Sequence, residues 1–182
     1  MPPSSLTPTG RVILGMIALG RQTGYDIKQF VDKSTRHFWA ASYGQIYPEL
    51  RRLEEQGLIE GQSEPTGGRA RTVYQLTETG RTALQQWLAP EPDPTFEVRD
   101  EGMLKLFFSD IGTAEQRIRN IRSMRESHER TLAQLVAHED EASQMPEGPR
   151  LTLELGILLH RGIVGWCEST ERRLREEAAD AD

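Results

Sequence analysis

Apolar residues recur every three or four positions in short bursts along the first ninety residues, then in longer tracks toward the end of the chain. Ile13, Ile17 and Ala18 form the first stripe. It follows Thr7-Pro8, a threonine N-cap with proline at the first helical position, and Gly20 can stop the helix. Thr23 with Asp26 opens a second helix through Ile27, Phe30 and Val31. Ser42 with Gln45 fits a capping box for a third, through Ile46, Leu50 and Leu53 to Gly57. Pro48 inside that run predicts either a local kink or a later start. The period then shortens: residues 58–63 and 72–76 read as strands around Gly67-Gly68, which predicts a hairpin. Thr77 caps a fourth helix through Ala83, Leu84, Trp87 and Leu88.

Pro90, Pro92 and Pro94 interrupt the pattern and predict a linker over 90–98 between modules 1–89 and 99–182. Beyond it, residues 100–108 read as a helix containing Met103, Leu104, Leu106, Phe107 and Phe108. Thr113 with Gln116 opens a longer one by a capping box. Its track, Ile118, Ile121, Arg125, His128, Leu132 and Leu135, extends to about Ser143. The last helix carries Leu151, Leu155, Leu158, Leu159, Ile163, Trp166 and Leu174. Each of these two helices would span roughly 45 Å. A module of about 90 residues cannot bury such stripes alone, so a second copy is expected to cover them.

Composition narrows the class. With 182 residues, 36% hydrophobic and 27% charged, the chain can build a core. The longest apolar run is too short for a membrane span. No secretory signal is visible, and one cysteine fits a reducing cytoplasm. The net charge of −6 hides an asymmetry: residues 1–90 sum to +2 and residues 91–182 to −8. That split is expected where one module meets phosphates, although two solvated surfaces of different sign would give it too.

Three short helices followed by a hairpin is the order of a winged helix-turn-helix, whose third helix enters the major groove. Tyr43, Gln45, Tyr47, Arg51 and Arg52 give that helix a polar, aromatic and cationic face, with glutamine suited to adenine and arginine to guanine or phosphate. Arg69 and Arg71 flank the hairpin tip, where long cations reach phosphates or a narrow minor groove. Tyr47 could equally pack inward, and Arg52 could instead pair with neighbouring carboxylates.

The segments Gly24-Tyr25-Asp26-Ile27, 42–59 with its Tyr47-Pro48, Arg69, Tyr74 and Leu76-Thr77-Glu78-Thr79-Gly80 resemble the PadR family of bacterial transcriptional regulators, usually repressors. Arg99-Asp100-Glu101 leading into residues 104–110 is similar to the C-terminal domain of its longer subgroup. The resemblance covers residues 11–82 and 96–176. It implies a mainly α fold with a small β-hairpin: an N-terminal winged helix-turn-helix plus a C-terminal α-helical dimerisation domain. It further implies a homodimer on an inverted-repeat operator in double-stranded DNA, with ATGT/ACAT-like half-sites. The DNA-facing set would be Tyr25, Lys28, Ser42, Tyr43, Gln45, Tyr47, Arg51, Arg52, Arg69 and Arg71. Members of that subgroup answer to phenolic acids or control efflux pumps, so the effector would be a phenolic acid or another aromatic or lipophilic compound.

Effector candidates are Phe107, Arg125, His128, His160 and Trp166. Arg125 and His128 could attract a carboxylate, form a polar layer fixing dimer register, or lie at the surface. Trp166, with Leu159, Ile163 and Phe107, reads as core or dimer interface before ligand platform. Cys167 reads as inert packing. His128-Glu129 and His138-Glu139-Asp140 lack the spacing of a zinc site, and no catalytic triad, phosphate loop or dinucleotide fingerprint occurs. No cofactor, metal, membrane partner or enzyme activity is therefore expected. The competing class is a winged-helix adaptor that recognises protein and does not bind DNA specifically, which would be expected to expose more apolar area.

Overall fold

A computed structural model of the chain describes residues 6–35, 38–39, 43–65, 71–89 and 100–179. The chain divides into two compact units, Met1–Pro94 and Thr95–Asp182. The predicted linker over 90–98 lies outside the described residues.

In the first unit, α1 (Pro8–Ala18), α2 (Gly24–Lys33) and α3 (Ile46–Glu55) precede β1 (Ile59–Glu64), β2 (Arg71–Leu76) and α4 (Glu78–Leu88). Threonine hydroxyls start three of these helices as expected: Thr7 accepts from Gly10 N–H, Thr23 from Asp26 N–H and Thr77 from Gly80 N–H. Such a cap is worth about 1 kcal/mol. Gly57 follows α3 at φ +67, a left-handed turn that a side chain would strain. The strands pair antiparallel from Ile59↔Leu76 to Glu64↔Arg71. Tyr74 N–H also donates to Gln22 O at 2.7 Å, tying the α1–α2 turn to the hairpin. Ile13, Leu14, Ile27, Val31, Leu50, Leu53, Ile59 and Leu84 meet in one buried core under all of these elements.

The third helix starts later than the Ser42 cap implied. A 3₁₀ turn, Tyr43–Gln45, leads into it, and Gln45 makes no side-chain cap. Ser42 lies outside the described residues. Pro48 therefore sits third in α3, within the first turn, where its missing N–H has no helical partner to lose. That favours the later start over a kink.

The second unit contains α5 (Glu101–Phe107), α6 (Ala114–Val136) and α7 (Glu147–Ala179). Thr113 and Gln116 form the predicted capping box. The α6 helix stops at Val136, short of Ser143, and residues Glu139–Gln144 tighten into a 3₁₀ segment. Glu139, Asp140 and Glu141 would crowd the negative end of the helix dipole, which disfavours extending the helix through them. The buried face of α7 is Ile157, Cys167 and Glu171, and Cys167 joins Ile121 and Met124 in the core, with Leu106, Ile163 and Leu174 against it. The expected stripe divides between two faces: Ile163 and Leu174 pack against this core, while its other leucines and Trp166 stay outside it. Cys167 takes the inward position, which turns Trp166 about 100° away from it. Leu151, Leu155, Leu158, Leu159 and Trp166 are exposed.

Candidate nucleic-acid interface

The α3 helix is two-sided. Ile46, Leu50 and Leu53 turn inward and are buried, while Gln45, Tyr47 and Arg51 are exposed. Tyr47 lies half exposed at the surface, with its ring edge against α2: a Cβ on Gly24 would stand 2.7 Å from Tyr47 Cε1. Gly24 therefore makes room for the tyrosine. Its neighbour Tyr25 is exposed too, and Gln29 Nε2 donates to its hydroxyl at 2.7 Å. Lys28, one turn on, is exposed. Tyr43 opens the 3₁₀ turn, its side chain outside the described set, as is Arg69.

The two remaining arginines of the predicted set are engaged. Arg71 stands opposite Glu64 in the strand register and donates to its Oε2 through Nε at 3.1 Å and Nη2 at 2.9 Å. Both side chains are about half exposed, and such a pair contributes roughly 0–1 kcal/mol, so a phosphate can displace the carboxylate. Arg52 is held by Glu49, through Nε to Oε2 at 3.0 Å and Nη2 to Oε1 at 2.8 Å. Glu49 is buried and also accepts from the Thr7 hydroxyl. Burial alone would raise its pKa. The hydrogen bonds from Arg52 and Thr7, with the guanidinium charge, outweigh it and hold the carboxyl below its ordinary value. Glu54 is turned aside as well, accepting from Gly61 N–H at 3.0 Å. Arg51 is exposed and makes no hydrogen bond or ion pair among the described residues.

In the second unit the five effector candidates do not converge. His128 Nδ1 and His160 Nδ1 are 2.8 Å apart, one donating and the other accepting, and His128 Nε2 lies 4.0 Å from Asp100. A polar pocket beside them is lined by Lys105, Asn120, Ser127 and both histidines. Arg125, three residues before His128, belongs elsewhere: it donates to Glu129 at 2.7 Å and sits 3.5 Å from Glu171. Trp166 and Phe107 do not line that pocket, and Phe107 is 80% exposed. They are not packed in the core of this chain. Cys167 is buried, and burial raises its thiol pKa, as inert packing requires. Among the described residues no cluster of His, Cys, Asp and Glu is arranged to hold a metal, and no helix is long and apolar enough to cross a membrane.

Glu49 and Glu171 were missed as organising groups by the sequence reading. Each occupies an inward position of a helix where an apolar residue is the ordinary choice, which was the available signal. Glu171 is buried and receives Arg122 Nε at 3.0 Å, with Arg125 and Arg175 beside it.

Residues 13–86 match the family described as Transcriptional regulator PadR-like family, and residues 98–175 match Virulence activator alpha C-term. The Negative transcriptional regulator PadR of Bacillus subtilis (strain 168) is 30% identical over 170 residues, which cover 86% of this chain and 92% of that protein. The crystal structure of Bacillus subtilis PadR in complex with operator DNA aligns with a TM-score of 0.80 at 26% identity, over 90% of this chain and 97% of the other. Its structure in complex with p-coumaric acid shares the fold, with a TM-score of 0.75 at 24% identity over 93% and 99%.

Proposed function

The chain belongs to the PadR-like family of transcriptional regulators, and on that premise we propose that it is a sequence-specific DNA-binding repressor. The observation that carries the reading is the outward face of α3, where Gln45, Tyr47 and Arg51 stand exposed over a buried apolar face. Tyr25 and Lys28 on α2 extend that surface, and Arg69 and Arg71 of the hairpin supply further phosphate contacts. The operator is an inverted repeat bound by a homodimer. The exposed stripe Leu151, Leu155, Leu158 and Trp166 on α7, at spacings of four, three and eight, supports a second copy as its cover. The protein acts in the cytoplasm and has no catalytic role.

Release of DNA follows from a small aromatic or lipophilic effector, as the p-coumaric acid complex of the Bacillus relative suggests. Such a ligand shifts binding only by its differential affinity for the two dimer geometries. Within the second unit, the pocket at His128 and His160 supports this role better than Arg125, which is committed to Glu129 and Glu171.

Two substitutions test the DNA-facing surface. Arg51→Ala is expected to weaken binding to DNA from upstream of the protein's own gene by about tenfold or more, the scale of one base contact. Arg71→Ala is expected to weaken binding to all sequences and to reduce the salt slope by about one. Affinities unchanged across a salt series measured by fluorescence anisotropy would sink the assignment of these elements.

A further inference from the structure

We infer that Glu49 is a positioning residue for DNA binding, holding the Arg52 guanidinium by one edge against the start of α1 so that its other N–H groups meet a phosphate. The inference rests on the DNA-binding reading above. A carboxylate three residues from an arginine on a phosphate-facing helix would ordinarily repel DNA, unless its charge is turned inward and neutralised. That is its arrangement here. Glu49 is buried; Oε2 accepts from Arg52 Nε, and Oε1 accepts from Arg52 Nη2 and from the Thr7 hydroxyl.

The carboxylate has little room to move. The Thr7 hydroxyl oxygen accepts Gly10 N–H at 2.9 Å as the cap of α1, while its proton goes to Glu49. A Cβ on Gly10 would stand 2.7 Å from Glu49 Oε1 and 3.0 Å from Thr7 Oγ1, so the α1 backbone closes the niche. Arg52 is therefore the adjustable member, clamped by a fixed one. Its Nε and Nη2 are used, its Nη1 has no partner among the described residues, and about a third of the side chain is exposed. Arg51 beside it has no such clamp. An arginine ordered before binding loses less conformational freedom on meeting a phosphate, and a lysine could not be gripped by two parallel bonds.

The test compares wild type, Glu49→Ala, Glu49→Gln, Arg52→Ala, Arg52→Lys and the Glu49→Ala/Arg52→Ala double variant. Full-length proteins are titrated onto the upstream DNA at several salt concentrations, with folding checked by circular dichroism and thermal melting. Glu49→Ala and Arg52→Ala should each weaken binding about tenfold, and the double variant should bind no worse than Arg52→Ala alone. Arg52→Lys keeps the charge but should lose most of that factor. Glu49→Gln, which retains one arm of the grip, should fall between wild type and Glu49→Ala. Multiplying losses in the double variant, or full affinity in Arg52→Lys, would overturn the inference. If Glu49→Ala does not fold, Glu49→Gln and Arg52→Lys decide. Wild type binding its DNA no better than random sequence would instead bring down the DNA-binding reading itself.

Discussion

Replacing Gly80 with alanine is expected to destabilise the first unit by about 3 kcal/mol, the upper end of what a single overpacked methyl costs. Gly80 is buried in the first turn of α4, and its missing side chain is what lets that turn lie on the start of the hairpin. A Cβ there would stand 1.9 Å from the Leu58 carbonyl oxygen and 2.8 Å from its carbonyl carbon. The obstacle is backbone, so no rotamer change relieves it. The same carbonyl accepts Thr77 N–H at 3.2 Å, and the Thr77 hydroxyl donates to Gly57 O at 2.7 Å. Pushing α4 away therefore breaks the junction of α3, β1 and α4 together. Alanine ordinarily stabilises a helix relative to glycine by roughly 0.5–1 kcal/mol, so the sign of the effect separates close packing from propensity. The melting temperature should fall by about 12 °C or more, and an unchanged or raised value would show that the junction yields easily.

The second large effect is at Glu171. Removing its carboxylate leaves Arg122, Arg125 and Arg175 facing one another with no shared counter-charge. Breaking a buried pair costs about 3–5 kcal/mol, but these arginines reach solvent, so Glu171→Ala is expected to cost about 2 kcal/mol. The pH dependence carries the signature. Burial works to raise the Glu171 pKa, yet the hydrogen bond from Arg122 and the charges of Arg175, Arg122 and Arg125 hold it below its ordinary value. A carboxyl whose pKa is depressed by folding stabilises fully above its unfolded value and loses that contribution as pH falls through the folded one. Wild type should therefore lose stability below about pH 4.5, and Glu171→Gln should lose less over the same range. Parallel curves for the two proteins in denaturant titrations between pH 3 and 7 would show that Glu171 carries no such share.

Much of this was legible along the chain because it is local. A threonine hydroxyl reaches an N–H three residues on, so Thr7, Thr23, Thr77 and Thr113 announced their helices, and Gly57 announced an end. What escaped depends on partners distant in sequence. Glu49 makes sense only beside Thr7, 42 residues earlier, and Glu171 only beside Arg122, 49 residues earlier. Arg125 and His128 share the α6 track, yet one meets Glu171 and the other His160, because one turn of α6 carries them past different stretches of α7. How the α7 stripe divides between the core and the outer face escaped for a related reason. Its apolar residues cover more than one face, and periodicity does not say which of them the same chain will bury.

The decisive measurement is binding of the purified protein to DNA from upstream of its own gene, in competition with random DNA and across a salt series. A sequence-specific regulator should bind that DNA at least about a thousandfold more tightly than random sequence, with a steep loss as salt rises. Equal affinity for both DNAs at every salt concentration would contradict it.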